Sequence, residues 1–257
     1  MMDESSNPIL EVKNLSAVFR NENGGLRALH EVNFSIAPQA FVTLLGPSGS
    51  GKSTLLRIIA GLLPATQGAV FYKGQPVSGP SRGLGVVFQK ANLMPWRTVL
   101  ENIILPLELE DLPMGLAQEK AQAMIELVGL EGFEHSLPRD LSGGMAQRVA
   151  ISRALIHDPD VLLLDEPFGA LDAMTRERMG LELLRIWQAR KKTVLMVTHS
   201  VSEALFLADR VLVMSPRPGQ LRLDLPVTFD RPRLEDIRYT PEFGELVHQV
   251  RSAIGEA

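Results

Sequence analysis

The sequence contains no cysteine, which removes disulfide staples, thiolate metal sites and thiol catalysis from consideration together. The absence suits a reducing compartment. No basic run or stripe stands out, and the formal net charge is −4, so nothing in the charge balance points to nucleic acid. The longest apolar runs, Val161 to Leu164 and Thr193 to Thr198, are far short of a membrane span. Met1 to Pro8 is polar and acidic, which reads as a frayed leader and not as a signal peptide. Internal repeats and low-complexity tracts are also missing. What remains is an ordinary globular composition, 45% hydrophobic and 22% charged. A chain of 257 residues is long enough for one sizeable core with a smaller lobe, and too short for two full domains.

Short runs of Val, Leu and Ile at Phe41 to Leu45, Leu84 to Phe88, Val161 to Leu164 and Val194 to Thr198 read as strands buried on both faces, as in a parallel sheet. Helices are expected over Ser53 to Leu63, Gln118 to Val128, Ser142 to His157 and Thr175 to Lys191. The last carries an apolar stripe of Met179, Leu183, Ile186 and Trp187. The alternation of sheet and helix gives an α/β core. An N-terminal stretch from Ile9 to Ile36 alternates like strands around Gly24 and Gly25. From Lys90 to Asp158 the pattern is helical and proline-broken, a lobe inserted in the core. The expected organisation is one domain over 9–230, with the lobe at about 90–158, and a tail over 231–257. In the tail, Thr240 and Pro241 suit the cap and first turn of a helix whose Phe243, Leu246, Val247, Val250 and Ile254 share a face.

The chemistry begins at Gly46-Pro47-Ser48-Gly49-Ser50-Gly51-Lys52-Ser53-Thr54, which follows an expected strand and opens an expected helix. That is the context a phosphate loop requires. Its glycines let successive backbone N–H groups face phosphate oxygens, and the helix N-terminus adds partial positive charge. Lys52 is placed to reach the β- and γ-phosphates of a nucleotide, Ser53 to offer a hydroxyl to Mg2+, and Thr54 to help through its amide or hydroxyl. A glycine-rich turn before a helix is the plain alternative. Asp165 and Glu166 stand where the apolar run Val161 to Leu164 ends, a place where charge is costly unless paired or metal-bound. Asp165 suits the Mg2+ shell, and Glu166 suits polarising the attacking water.

Gln89 lies just past one strand and His199 just past another. In a parallel sheet, ligands gather at the carboxyl ends of the strands, so Gly46, Gln89, Asp165 and His199 are expected on one edge of one sheet. His199 is then placed to contact the γ-phosphate. Gln89 is placed to touch Mg2+ or the water and to report nucleotide state to the helical lobe. A second anion-binding helix start appears at Leu141-Ser142-Gly143-Gly144-Met145, where Ser142 can cap and the glycines bare the backbone. One chain carries one phosphate loop, so this second element suggests that it completes the site of another copy.

Taken together, these residues resemble the ATP-binding subunits of ABC transporters from about Leu10 to Gly219. The likeness covers the Walker A loop, the Q-loop Gln89, the signature Leu141 to Met145, the Walker B run ending in Asp165 and Glu166, the Ala170-Leu171-Asp172 D-loop and the switch His199. It implies a P-loop NTPase of RecA-like type: a parallel-sheet core, an N-terminal antiparallel β region and an inserted helical subdomain. Two copies would sandwich two ATP molecules head to tail, with Ser142, Gly143 and Gly144 on the partner's γ-phosphate and Asp172 joining the two sites. The resemblance also implies integral-membrane permease partners, an extracytoplasmic solute-binding protein at one remove, and residence on the cytoplasmic face of the inner membrane. Leu93 to Asn102, Asp165 to Asp172 and Met214-Ser-Pro-Arg-Pro-Gly219 are similar to the nitrate, sulfonate and taurine importer branch.

The family often has a tyrosine near position 19. Here Phe19 is the candidate for stacking on adenine, with packing in the N-terminal sheet as the other reading. Met145 and Ala146 also depart from the commonest residues after the signature, and neither change removes a phosphate donor. Leu93, Met94, Pro95 and Trp96 would form the groove for a permease helix, or Trp96 would be core. A soluble relative acting on DNA or ribosomes would carry coiled-coil insertions, zinc cysteines or tandem cassettes. A small-molecule kinase would leave the signature, Glu166 and His199 without a role, and an export-type ATPase of the same family is the alternative to import, against which the segments around Phe168 and Trp96 speak by likeness.

Overall fold

The computed structural model describes residues 7–19 and 25–255. Most of the polar leader and Gly24 lie outside them. In chain order the elements are β1 (Leu10–Phe19), β2 (Leu26–Ile36), β3 (Phe41–Leu45), α1 (Lys52–Ile59), β4 (Gln67–Tyr72), β5 (Gln75–Pro76), β6 (Leu84–Val87) and α2 (Val99–Glu108). There follow α3 (Met114–Leu127), α4 (Gly143–Leu155), β7 (Val161–Asp165), α5 (Ala173–Arg190), β8 (Thr193–Val197), α6 (Val201–Leu207), β9 (Arg210–Met214), β10 (Leu221–Pro226) and α7 (Pro241–Ile254). The chain forms two compact units, one made of Met1–Ser81 with Thr193–Ala257 and the other of Arg82–Lys192.

The first unit holds an antiparallel sheet in the order β2-β1-β4-β5 and the strands β10-β9-β3-β8 of the main sheet. In the latter, β3 runs parallel to both β8 and β9, and β10 is antiparallel to β9. Every residue of β3 and of β8 is buried, because a parallel strand needs both its faces covered. Leu55, Leu56, Ile58 and Ile59 of α1 are buried, while α6 packs on β3 and β9. Thr240 caps α7 by accepting from the Phe243 amide at 3.3 Å, and Pro241 takes the first turn. Phe243, Val250 and Ile254 are the buried residues of that helix, which packs on α6, β9 and β10. The C-terminal segment is therefore docked.

An arginine fixes its approach. Arg233, 5% exposed, donates from Nη1 to the carbonyls of Leu205, Phe206 and Ala208 at 3.0, 3.0 and 2.6 Å, ending α6. Its Nη2 donates to Val227 and Phe229 at 3.4 and 3.3 Å. Burial, and then the neighbouring Arg231, push its pKa down to about 10, so it stays charged at neutral pH.

In the second unit β6 and β7 pair in parallel, and α2, α3, α4 and α5 pack as a helical layer. Among the described residues no strand interrupts 90–158, as the proline-broken helical pattern anticipates. Helix α2 opens on a capping box, with Thr98 Oγ1 accepting from the Glu101 amide at 3.2 Å and Glu101 Oε2 accepting from the Thr98 amide at 2.7 Å. The Thr98 hydrogen bonds hold the Glu101 carboxyl below the usual range. The architecture is that of a P-loop NTPase, with a parallel core and an antiparallel β region.

Arg233→Met should lower the unfolding free energy by about 2–4 kcal/mol, since it strands several buried carbonyls. Urea denaturation of the two proteins measures the difference.

Candidate active site

The phosphate loop is the join between β3 and α1. Because β3 is buried to its last residue, the chain leaves the core at Gly46 and must turn at once to begin a helix. Gly46, Gly49 and Gly51 adopt φ values of 153°, 77° and 90°, which L side chains avoid. A side chain at Gly51 would also lie 2.7 Å from Leu29 Cδ2 and 2.9 Å from the Ala28 carbonyl oxygen of β2. Ser50 is wholly buried, and its amide donates to the Pro47 carbonyl at 3.2 Å. The helix takes hold with Leu55 N–H donating to Gly51 at 2.8 Å. Its first turn presents N–H groups that helical geometry cannot satisfy, at the positive end of the helix dipole. Lys52 is 4% exposed. Its ammonium donates to the Gly46 and Pro47 carbonyls at 2.8 and 2.9 Å, with Ser50 Oγ at 3.5 Å. A cation is thus fixed inside a ring of loop atoms.

His199 belongs to the same edge. Leu44 pairs with Val197 in register, and the amide of Thr198 donates to the Leu44 carbonyl at 3.3 Å. The imidazole is exposed, but both its chain neighbours are held. Thr198 donates its hydroxyl to the buried Glu203 carboxylate, Ser200 N–H donates to Thr198 Oγ1 at 3.1 Å, and Glu203 N–H donates to Ser200 Oγ at 3.3 Å. Glu203 was not singled out from the sequence, where it reads as a solvent-facing helix acid.

In the second unit, Gln89 is exposed two residues beyond β6, and Asp165, 6% exposed, ends β7. Glu166 has φ 49°, a left-handed conformation that a non-glycine residue adopts at a cost of about 1–3 kcal/mol. The turn closes through Gly169 N–H to the Glu166 carbonyl at 3.0 Å. A side chain at Gly169 would lie 3.1 Å from Gln89 Nε2 and 3.6 Å from Glu166 Oε2. The loop after β7 therefore brings two of the expected reactive side chains to a common point.

Ser142 caps α4, its Oγ accepting from the Met145 amide at 3.3 Å. Side chains at Gly143 and Gly144 would come within 3.2 Å of Leu171 Cδ2 and 3.3 Å of Thr175 Cγ2, so the signature packs against the D-loop and the first turn of α5. Asp172 caps α5 by accepting from Thr175 N–H at 3.0 Å. Hydrogen bonds from the Thr175 hydroxyl and then its amide hold its carboxyl below the ordinary aspartate range. A cleft of about 390 Å³ opens beside the signature, lined by Ser142, Gly144, Met145, Arg148, Thr175 and Arg178 among others. Phe19, at the end of β1, is 42% exposed.

Three further residues organise this unit, and all look like ordinary helix polars in the sequence. Gln147, buried on α4, donates to the Phe88 carbonyl at 3.4 Å. Arg153 donates to Ala91 and Asn92 carbonyls at 2.8 and 3.0 Å, and its burial lowers its pKa. Asn102, fully buried, accepts from Met94 N–H at 2.8 Å and donates to the Arg97 and Thr98 carbonyls at 2.9 Å each. The loop it shapes presents Trp96 at 73% exposure, so Trp96 is not core. Among the described residues no three His, Asp or Glu side chains cluster as a metal site, and no helix is long and apolar enough to cross a membrane.

Residues 29–169 match the ABC transporter family profile. An ABC transporter ATP-binding protein of Methanocaldococcus jannaschii, itself uncharacterized, is 51% identical over 87% of this chain and 84% of its own length. The aliphatic sulfonates import ATP-binding protein SsuB of Bacillus cereus is 42% identical over 93% of this chain and 94% of its own. For the taurine import ATP-binding protein TauB of Rhizobium johnstonii the figures are 44%, 96% and 96%. A solved ATP-binding cassette, dimeric and in a post-hydrolysis state bound to ADP and Pi, superposes with a TM-score of 0.76 at 32% identity, covering 86% of this chain and all of that one. The chain belongs to the ABC transporter family, and it is an ATP-binding, ATP-hydrolysing subunit.

Gly51→Ala should cost on the order of 2–4 kcal/mol through its positive φ and the contact with β2. Thermal unfolding and binding of a fluorescent ATP analogue should both report the loss, binding more severely.

Proposed function

We propose that this chain binds Mg-ATP on the Gly46–Thr54 loop, hydrolyses it with Glu166, and powers an importer for a small solute of the sulfonate or taurine kind. The observation that carries the chemistry is the strained Glu166 turned beside Gln89. Strain at a carboxylate one residue past a buried strand is a way a fold spends stability on a reactive group. Lys52 and the loop amides bind the β- and γ-phosphates, and the Glu166 carboxylate orients the attacking water and draws its proton. His199, exposed between two anchored neighbours, contacts the γ-phosphate, and Phe19 offers its ring to the adenine.

Ser53, Gln89 and Asp165 supply a hydroxyl, an amide carbonyl and a carboxylate, the hard oxygen donors that suit Mg2+. Asp165, buried where β7 ends, would be the charged member of that set. Bound there, Mg2+ would neutralise charge on the phosphate oxygens.

Two copies acting head to tail give the exposed Ser142 and Gly143 and the neighbouring Gly144 their purpose, each chain's signature closing on the γ-phosphate held by the other and Asp172 linking the sites. Dimeric solved cassettes support this assembly. Import rests on the relatives' names; the permease partners and the extracytoplasmic solute-binding protein are what the family resemblance implies, with the exposed Trp96 as the anchor for a permease helix. The place of work is then the cytoplasmic face of the inner membrane.

Lys52→Ala should abolish nucleotide binding. Glu166→Gln should retain binding and lose about 10²–10⁴-fold in kcat, and a near-normal rate would remove Glu166 as the base. Tagged Glu166→Gln protein, extracted from membranes in mild detergent with Mg-ATP, should bring down a polytopic permease. Recovery of ribosomes or DNA alone would overturn the transport reading and leave the ATPase chemistry standing.

A further inference from the structure

Met214-Ser-Pro-Arg-Pro-Gly219 performs no step in the scheme above, yet the fold sets it against the phosphate loop. Leu45 pairs with Val213 of β9, so the chain leaves β9 beside the point where Gly46 leaves β3. A side chain at Gly46 would lie 2.9 Å from the Met214 carbonyl oxygen. The turn that follows supports itself. Ser215, buried, donates its hydroxyl to the Pro216 and Pro218 carbonyls at 2.8 and 3.0 Å and accepts from the Gln220 amide at 3.0 Å. The turn is also pinned to β2, with Gly219 N–H donating to Ala28 at 2.9 Å and His30 N–H donating to Gly219 at 3.0 Å. Gly219 packs so closely on the Ser50 carbonyl that any side chain there would collide with it.

At the tip of this turn Arg217 reaches the loop itself. Its Nε donates to the Gly49 carbonyl at 3.2 Å, and a side chain at Gly49 would meet its Nη2 at 2.9 Å. The Gly49–Ser50 peptide is then held at both ends, its N–H by the Pro47 carbonyl and its C=O by the guanidinium. The next peptide is backed by Gly219. With those two planes fixed, the amides that follow at the start of α1 have one direction to point. The guanidinium also places a permanent positive charge beside the exposed Ser48 and Gly49.

We infer that Arg217 is a positioning residue for ATP binding: it locks the Gly49–Ser50 peptide of the phosphate loop from the turn after β9. The inference rests on the phosphate loop being the ATP site. Preorganised donors strengthen binding without changing the reacting groups, so the effect falls on affinity and not on the chemical step.

The test compares Arg217→Met, Arg217→Lys and Lys52→Ala with the parent chain, by titration with a fluorescent ATP analogue, steady-state ATPase kinetics and nucleotide-free thermal unfolding. Arg217→Met should weaken binding about threefold to tenfold, the scale of one typical hydrogen bond. Its KM should rise in step, its kcat stay within about twofold, and its nucleotide-free melting temperature stay unchanged. Arg217→Lys, which keeps a donor and the charge, should recover most of the affinity. Unchanged affinity in Arg217→Met overturns the inference. So does a fall in melting temperature and kcat together, or a lysine variant as weak as the methionine one. If the parent chain binds no nucleotide, or Lys52→Ala binds as well as the parent, the ATP-site reading itself has failed.

Discussion

The burial of β3 is the constraint from which the first unit's chemistry follows. A strand with neighbours on both sides and cover on both faces cannot drift, and the chain that leaves its end starts from a fixed point in a fixed direction. Three departures from ordinary backbone geometry, at Gly46, Gly49 and Gly51, then convert that direction into a helix start within a few residues. The same burial positions His199, because β8 is registered on β3 and Thr198 bonds to the Leu44 carbonyl. It positions the turn after β9 as well, because β9 is registered on the opposite edge of β3. One buried strand thus aims a cation, an imidazole and a brace at a single rim.

The second unit solves a different problem. Gln89 and Glu166, proposed above for the chemistry, sit in irregular backbone after β6 and after β7, and irregular backbone needs outside partners for its carbonyls and amides. Helix α4 supplies them. Gln147 takes the Phe88 carbonyl, Arg153 takes those of Ala91 and Asn92, and the N-terminal glycines of α4 pack on Leu171 and Thr175. The desolvation that lowers the Arg153 pKa is opposed by two carbonyl acceptors, and the net charge-assisted bonds hold the Gln89 segment to the helix that begins at Ser142.

Legibility in the sequence divided along the same line. The buried parallel strands were readable almost to the residue, since Phe41–Leu45 and Val161–Asp165 are apolar runs with no competing interpretation. The Thr240 cap, the Pro241 first turn and the strandless stretch over 90–158 were readable for equally local reasons. β4, β5, α2, α6, β9 and β10 were not. β4 carries Gly68 and is mostly part-exposed, β10 alternates charge with leucine and ends in Pro226 as an edge strand, and α6 is seven residues long and too short for periodicity to register. Among the candidate site residues, the phosphate loop, Asp165, Glu166 and the signature announce themselves by spacing. Asn102, Gln147, Arg153, Arg217 and Glu203 do not, because an amide or a charge on a helix or turn reads as solvent-facing until a long-range carbonyl claims it.

Asn102 shows why such residues matter for function and not for stability alone. Its amide satisfies both polar groups of Met94 and two further carbonyls, so the loop from Leu93 to Thr98 is ordered without burying its own side chains. That frees Trp96 to stand exposed, where an aromatic ring is costly to keep in water and gains most from a partner. The far end of the same loop joins the segment that Gln147 and Arg153 hold. The loop that presents Trp96, the Gln89 turn and helix α4 are in this way linked by hydrogen bonds. In the proposed importer, a nucleotide-dependent shift at Gln89 would reach the Trp96 loop along these bonds.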